Sequence, residues 1–211
     1  MKLGEIKIES LKIMFANYNA DIDIDKLSSL YDDENYGIYL VNMNGAINRC
    51  FSVLEEKLVL PSKSVSLDVS VAEVSNGRLR FDLDEIVDNF FAVDRVIYEN
   101  TSGAYNGNVD FNMEENTLVL PEIGNGESYR LLYKPTLARV SSDTEETTEI
   151  DIPNSIASHI PYFIKGDLYR DDEPNEASEA RNWFELAMAE LHTKQDTNIN
   201  RVDTIFSQTE L

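Results

Sequence analysis

DIPNSIASHIPYFIKGDLYRDDEPNEASEARNWFELAMAELH, residues 151–192, is the stretch whose reading decides the fold. It reads as a strand end, a helix, an acidic turn and a long helix. Asn154 and Ser155 follow Pro153, and their side chains are of the kind that caps the first free N–H groups of a helix. Ile156, Ile160, Phe163, Ile164 and Leu168 then recur at steps of three and four, which places them on one helical face. Pro161 sits inside that pattern and predicts a kink or a restarted helix. In the turn before Pro174, Asp171, Asp172 and Glu173 favour the positive end of a helix dipole, and a proline in the first turn lacks only an N–H that has no partner there. From Pro174 onward Ala177, Ala180, Phe184, Ala187 and Leu191 step in near-heptad fashion, with Trp183 and Met188 beside them. Phe163, Leu168, Trp183, Phe184 and Leu191 are the expected core of a helical bundle, with small alanines allowing close approach at one end.

The N-terminal region supplies the other half of that bundle. Ile8, Leu11, Met14 and Phe15 form one apolar face of a first helix, opposite lysines and glutamates. Asp25 can cap a short helix over residues 26–30. A long helix follows, from about Tyr36 to Lys57, with Tyr36, Leu40, Met43, Ile47, Cys50 or Phe51, and Leu54 on one side. Residues 58–61 leave it in extended form, because a residue before proline avoids helical angles.

Between the helical ends the apolar period changes from 3.6 to 2. Val65, Leu67, Val69 and Val71 alternate with polar residues, and Leu79, Phe81 and Leu83 do so after the turn signal Asn76-Gly77. Residues 84–91 read as a helical turn or irregular crossover. Further strands are expected over residues 93–99, 109–113, 117–120 and 129–133. An acidic Ser/Thr loop (141–149) returns the chain to Ile150 and Ile152. Many short strands broken by turns predict an antiparallel β-sandwich or small barrel. The expected class is α+β, a helical bundle built from both termini with an inserted β domain. Its boundaries are residues 1–61 and 151–192 for the bundle, 62–150 for the β domain and 193–211 for a C-terminal tail.

The chain has 39 acidic and 18 basic residues in 211, a formal charge of −21. Residues 1–61 carry 6 basic and 10 acidic side chains, residues 62–150 carry 7 and 17, and residues 151–211 carry 5 and 12. With no basic stripe in any third, attractive binding to a phosphate backbone is disfavoured. The charge fits solubility through self-repulsion, and equally a surface that must sit near nucleic acid without holding it. No run of about 18 apolar residues and no basic-then-apolar leader occurs, so a soluble chain made in the cytoplasm is expected. The single cysteine, Cys50, excludes an internal disulfide and reads as a buried, inert thiol.

Chemistry-bearing motifs are sparse. Asp21, Asp23 and Asp25 alternate like the start of a calcium loop, but Lys26 stands where glycine should make the sharp turn and Asp32 where a bidentate glutamate belongs. A solvated capping loop is the expected reading. His159 and His192 have no partners at zinc-ligand spacing. No nucleophile elbow, phosphate loop or dinucleotide fingerprint is present. No catalytic residue, cofactor or metal is expected, and the chain does not read as an enzyme.

Several runs together resemble the head-to-tail connector proteins of tailed bacteriophages, of the podovirus adaptor type. They are Leu3-Gly4-Glu5-Ile6 with Leu11 and Met14-Phe15, Tyr133-Lys134-Pro135, Glu149-Ile150-Asp151-Ile152-Pro153, Ile160-Pro161-Tyr162, Lys165-Gly166-Asp167-Leu168-Tyr169, Asp172 to Ala177, and Ala180 to Phe184. The resemblance lies in texture and in the order helix, long helix, β insertion, paired C-terminal helices, and spans nearly the whole chain. It implies a structural virion protein of the phage neck, present in the host cytoplasm during assembly. It also implies a ring, usually of twelve copies, seated on the portal protein. Tail or nozzle proteins would join beneath, and DNA would pass through the lumen without specific binding. No membrane partner is implied.

A reading from another class is a β-sandwich ligand-binding module of a virion or cell-surface protein, with Tyr98, Tyr105, Tyr129 and Tyr133 as platforms for a glycan or protein. The tail adds one more candidate surface. Val202, Ile205, Phe206 and Leu211 follow a polar stretch, and ordering such a segment costs about 1–2 kcal/mol per residue. It is either a frayed terminus or an arm that orders against a neighbour or the portal.

Overall fold

The computed structural model describes residues 1–15, 24–99, 105–123 and 128–207, and for 105, 106 and 194–207 the backbone alone. In chain order its elements are α1 (Leu3–Met14), α2 (Ile24–Leu30), α3 (Gly37–Glu56), β1 (Lys63–Leu67), β2 (Glu73–Ser75), β3 (Arg78–Asp82), α4 (Leu83–Ile86), β4 (Phe90–Glu99), β5 (Tyr105–Asn108), β6 (Asn112–Glu114), β7 (Thr117–Pro121), β8 (Ser128–Pro135), α5 (Asn154–Ala157), α6 (Ile160–Leu168) and α7 (Pro174–Ser207). The architecture is α+β: N- and C-terminal helices pack together, with two four-stranded antiparallel sheets inserted between them in the chain. The chain divides into two compact units, Met1–Val59 with Ala138–Leu211, and Leu60–Leu137.

In the helical unit, α6 packs against α1, α3 and α7. Leu3, Ile6 and Leu11 of α1, Leu40, Met43, Ile47, Phe51 and Leu54 of α3, and Ile160 and Ile164 of α6 are all fully buried. These are the apolar stripes of amphipathic helices, which gain little from propensity alone and are stabilised by burying that stripe. Pro161 starts α6 as a new helix after the short α5, because a proline in the first turn displaces no helical hydrogen bond. Lys57 ends α3, and Leu58 then turns left-handed at φ 54°. The Leu58 N–H donates to Glu55 O (2.9 Å) and the Val59 N–H to Leu54 O (3.4 Å), with buried Val59 and Leu54 closing the helix end. The helix thus leaves through a left-handed residue, where the sequence pattern predicts an extended one.

The boundary at residue 150 needs correction. Residues 138–150 belong to the helical unit, because that unit satisfies their backbone. Asn48 of α3 accepts from the Val140 N–H (2.9 Å) and donates to Val140 O (2.8 Å), much as a strand neighbour would. Leu3 and Gly4 donate to Thr148 O (2.9 Å) and Glu146 O (2.8 Å), and Ile150 donates to Met1 O (3.1 Å). Such long-range backbone pairing leaves no trace in apolar periodicity.

The inserted unit is a sandwich of two sheets, with strand orders β1-β8-β4-β5 and β2-β3-β7-β6. Leu67, Val96, Tyr129, Leu131 and Tyr133 from the first sheet and Leu79, Phe81, Leu118 and Leu120 from the second form one core cluster. Alternation along β8 is complete, with every second residue buried from Tyr129 to Pro135. Asn76 and Gly77, at φ 52° and 70°, make the hairpin turn in which both central residues are left-handed. The strand expected to run to Val71 ends at Leu67. Asp68 accepts from the Ser70 N–H (2.8 Å) and caps a tight turn over Val69–Val71, leaving Val71 exposed. A local side-chain bond here wins over the sheet ladder. The strand expected over residues 109–113 is likewise shortened to β6, and Val109 bonds back to Val96 O (2.9 Å).

Candidate functional site

The outer side of the α6–α7 pair is the most distinctive surface of the helical unit. Its construction starts on the inner side. Ala177, Ala180, Phe184 and Met188 are the buried stripe of α7, at steps of three, four and four. Phe184 meets Phe163 of α6 edge to face, with ring centroids 5.1 Å apart. Gly166 sets how close the helices come: a Cβ there would lie 2.6 Å from Arg181 Cγ and 3.0 Å from Ala177 O. Charged pairs fasten the edges. Asp167, on α6, is paired with Arg49 of α3 and lies 3.6 Å from an Arg181 nitrogen, and Lys57 Nζ is 2.7 Å from Glu185. Lys165 binds Glu176 (2.7 Å), and Tyr169 donates to Met14 O (2.8 Å).

A helix with one buried stripe must turn its neighbouring positions outward. Trp183 precedes Phe184 by one residue, about 100° around the axis. It is 57% exposed, and Leu186 is 62% exposed. Both line a groove of about 580 Å3 with Tyr162, His159, Glu190 and Leu191, and with small residues Ser155, Ser158 and Ala187. This corrects the expectation that Trp183 lies in the bundle core. Leu191 and Leu168 are half-buried, whereas Phe163 and Phe184 are buried against each other. The heptad reading placed Ala187 and Leu191 inward, but Met188 takes that place because the stripe follows the 3.6-residue turn.

A second outward apolar pair lies on α3, where Ile38 and Val41 are each 67% exposed. The sequence reading passed over it because Leu40, Met43 and Ile47 already account for the helix's inner face. The signal was there: an i, i+3 pair of branched apolar residues on the side facing away from that stripe.

A buried polar cluster forms the other concentration of reactive groups. Lys7 Nζ lies 2.8 Å from Tyr31 Oη and 2.6 Å from Glu146 Oε1, and Tyr31 Oη donates to the same carboxylate oxygen at 2.8 Å. Burial, followed by the hydrogen bond and charge of Glu146, holds the Tyr31 phenol well above its ordinary range. The phenol therefore stays protonated and donating, and the three groups fit a clamp.

The remaining sequence candidates fall as follows. Tyr129 is 1% exposed and its hydroxyl donates to Pro121 O (3.1 Å); Tyr133 is buried with its hydroxyl 3.3 Å from Asn89 Oδ1. Tyr98 packs on Tyr129, centroids 6.0 Å apart, and the Tyr105 side chain lies outside the described residues. Tyr129 and Tyr133 are therefore sandwich core and offer no ring face to a glycan. Asp21 and Asp23 lie outside the described residues, and Asp25 is in the first turn of α2. Among the described residues no group of three or more His, Cys, Asp or Glu could hold a metal ion, and no helix is long and apolar enough to cross a membrane. Cys50 is buried, and burial raises its thiol pKa well above the ordinary value. The helix expected to end near His192 continues as α7 to Ser207, so the backbone at Val202, Ile205 and Phe206 is helical; their side chains and all of Leu211 lie outside the described residues. No known family model matches this chain, and no curated protein matches it.

Proposed function

We propose that this chain is a ring-forming structural subunit of a phage neck, joining the capsid portal to the tail and letting DNA through its lumen. The observation that carries the reading is the order of elements: a bundle made from both chain ends, a β-sandwich inserted between them, and a long last helix. This is the order that the resemblance to podovirus-type connectors calls for. The formal charge of −21 fits this reading as well as it fits solubility through self-repulsion, since an acidic lumen repels phosphate and lets a duplex slide. The exposed apolar pairs on α7 and α3 supply surfaces for copies or for the portal. Helix α7 runs on to Ser207, and residues 193–211, with Val202, Ile205, Phe206 and Leu211, act as an arm toward a neighbour or the portal.

Co-expression with the portal protein of the same virion, followed by native mass measurement and negative-stain imaging, tests this reading. The expected product is a symmetric complex with several copies of this chain on each portal. A chain that leaves the portal bare, and binds duplex DNA tightly at physiological salt, would reverse it.

A further inference from the structure

We infer that the outer face of the β1-β8-β4-β5 sheet, at Arg95 and Arg130, receives an acidic side chain of a partner protein. The inference concerns the inserted unit alone and does not rest on the connector reading. Tyr129, Leu131 and Tyr133 of β8 belong to the sandwich core, so Arg130 and Leu132 between them face the other way. The register sets Arg95 of β4 opposite Leu132, and Ile97 opposite Arg130. Arg95 is therefore on the same outer face, diagonal to Arg130 and about 7–8 Å from it. On β1, Ser64 lies opposite Leu132 and Ser66 opposite Arg130, and both serines are exposed.

Arg49, Arg80, Arg139 and Arg181 each reach an acidic side chain. Arg95 does not. It is half-buried, its Nε is shut off from solvent, and its side chain has no hydrogen-bond or ion-pair partner among the described residues. Arg130 is only partly satisfied. Its Nε is also buried and lies 2.7 Å from Glu99 Oε1, near enough for an ion pair but not aligned for a hydrogen bond, while the side chain is 42% exposed. A guanidinium that has given up part of its hydration and gained no carboxylate is out of keeping with a chain of 39 acidic and 18 basic residues. An incoming anion restores what it lacks.

The chemistry of the patch selects the anion. A planar carboxylate takes the parallel N–H pair of a guanidinium, and the two serine hydroxyls add donors beside it. Leu132, half-buried between Ser64 and Arg95 in the register, offers apolar surface to the carbon stem behind such a carboxylate. A nucleic-acid backbone would bring a row of charges over a chain of −21, whereas a single carboxylate meets only the local positive pair.

The test titrates the full chain, at constant ionic strength, with a blocked glutamate peptide carrying one carboxylate, and follows the NMR signals of the arginine Nε–H groups. The Arg95 and Arg130 signals are expected to move together and saturably. Arg95→Gln is expected to weaken binding at least about tenfold, as loss of a charge-assisted pair does. It is also expected to keep the thermal midpoint of wild type, because no partner within the chain is lost. Glu99→Gln removes the competing carboxylate from Arg130 and is expected to tighten binding. Acetate, inorganic phosphate and duplex DNA are run as separate arms, each expected to bind more weakly than the peptide. Signals that stay in place with the peptide, or a marked fall in the midpoint of Arg95→Gln, overturn the site. Phosphate or DNA binding as tightly as the peptide overturns the acidic side chain as occupant, and acetate doing so assigns a free carboxylate and overturns the protein partner.

Discussion

Lys7 Nζ and Glu146 Oε1 are 2.6 Å apart across 139 residues of sequence, and the lysine side chain is only 1% exposed. The pair fastens α1 to the segment that follows the β insertion, with the lysine end shut off from water and Glu146 24% exposed. Desolvation makes such a pair a poor source of net stability, but removing one partner strands the other. Glu146→Ala is expected to lower unfolding free energy by about 3 kcal/mol, and joint replacement by Lys7→Met and Glu146→Leu by much less. Chemical denaturation of the three variants measures this. A single variant no worse than the double would mean that Lys7 finds water or another carboxylate.

Phe184 and Trp183 are neighbours in sequence and opposites in environment. Phe184→Ala removes a ring that is 1% exposed and packed on Phe163, and is expected to cost about 3–5 kcal/mol. Trp183→Ala removes a ring that is 57% exposed and is expected to change stability by about 1 kcal/mol or less at concentrations where the protein is monomeric. Equal losses in denaturant midpoint would contradict the assigned faces of α7.

The helical faces and the hairpin at Asn76-Gly77 were legible in the sequence because they rest on local patterns, namely steps of three and four and a turn dipeptide with one favoured geometry. The restart at Pro161 was legible for the same reason. What escaped was set by tertiary competition. Trp183 reads as core on hydrophobicity alone, and only the phase of Phe184 and Met188 on one helix shows that it must point away. The segment at residues 138–150 looks like a β-domain loop until Asn48, far away in sequence, takes up the backbone of Val140. The outward pair Ile38 and Val41 was hidden by a stronger signal on the same helix. Function was the least legible, since the residues that suggest it are surface side chains without catalytic chemistry.

Leu58 occupies a left-handed backbone at φ 54°, a conformation that suits glycine and costs an L-residue about 1–2 kcal/mol. Its side chain is 38% exposed, so part of that cost is returned by burial. Leu58→Gly is expected to raise stability by about 0.5–1 kcal/mol, net of the lost packing and the greater freedom of the unfolded chain. Thermal and denaturant midpoints that fall instead would show that the leucine side chain holds the exit from α3 more firmly than its exposure suggests.

Tyr169 offers a pH test of the α1–α6 contact. Its phenol is pushed up to about 12 from 10.0, chiefly by burial and then by the nearby charges of Tyr39, Glu176 and Glu173, while its hydroxyl donates to Met14 O at 2.8 Å. A group that ionises less readily when folded binds more protons in the folded state than in the unfolded one. Its contribution is therefore fully present below pH 10 and lost as pH rises toward 12. Wild type should lose stability more steeply across that window than Tyr169→Phe, which has no phenol to ionise and also lacks the bond to Met14. At neutral pH the order is expected to be the reverse, with the phenylalanine variant about 1 kcal/mol less stable for want of that hydrogen bond. Denaturation at a series of pH values, with phenolate absorbance followed in parallel, gives both slopes. Identical slopes for the two proteins between pH 10 and 12 would mean that Tyr169 ionises as freely in the folded chain as in the unfolded one, and the buried contact with Met14 would have to be withdrawn.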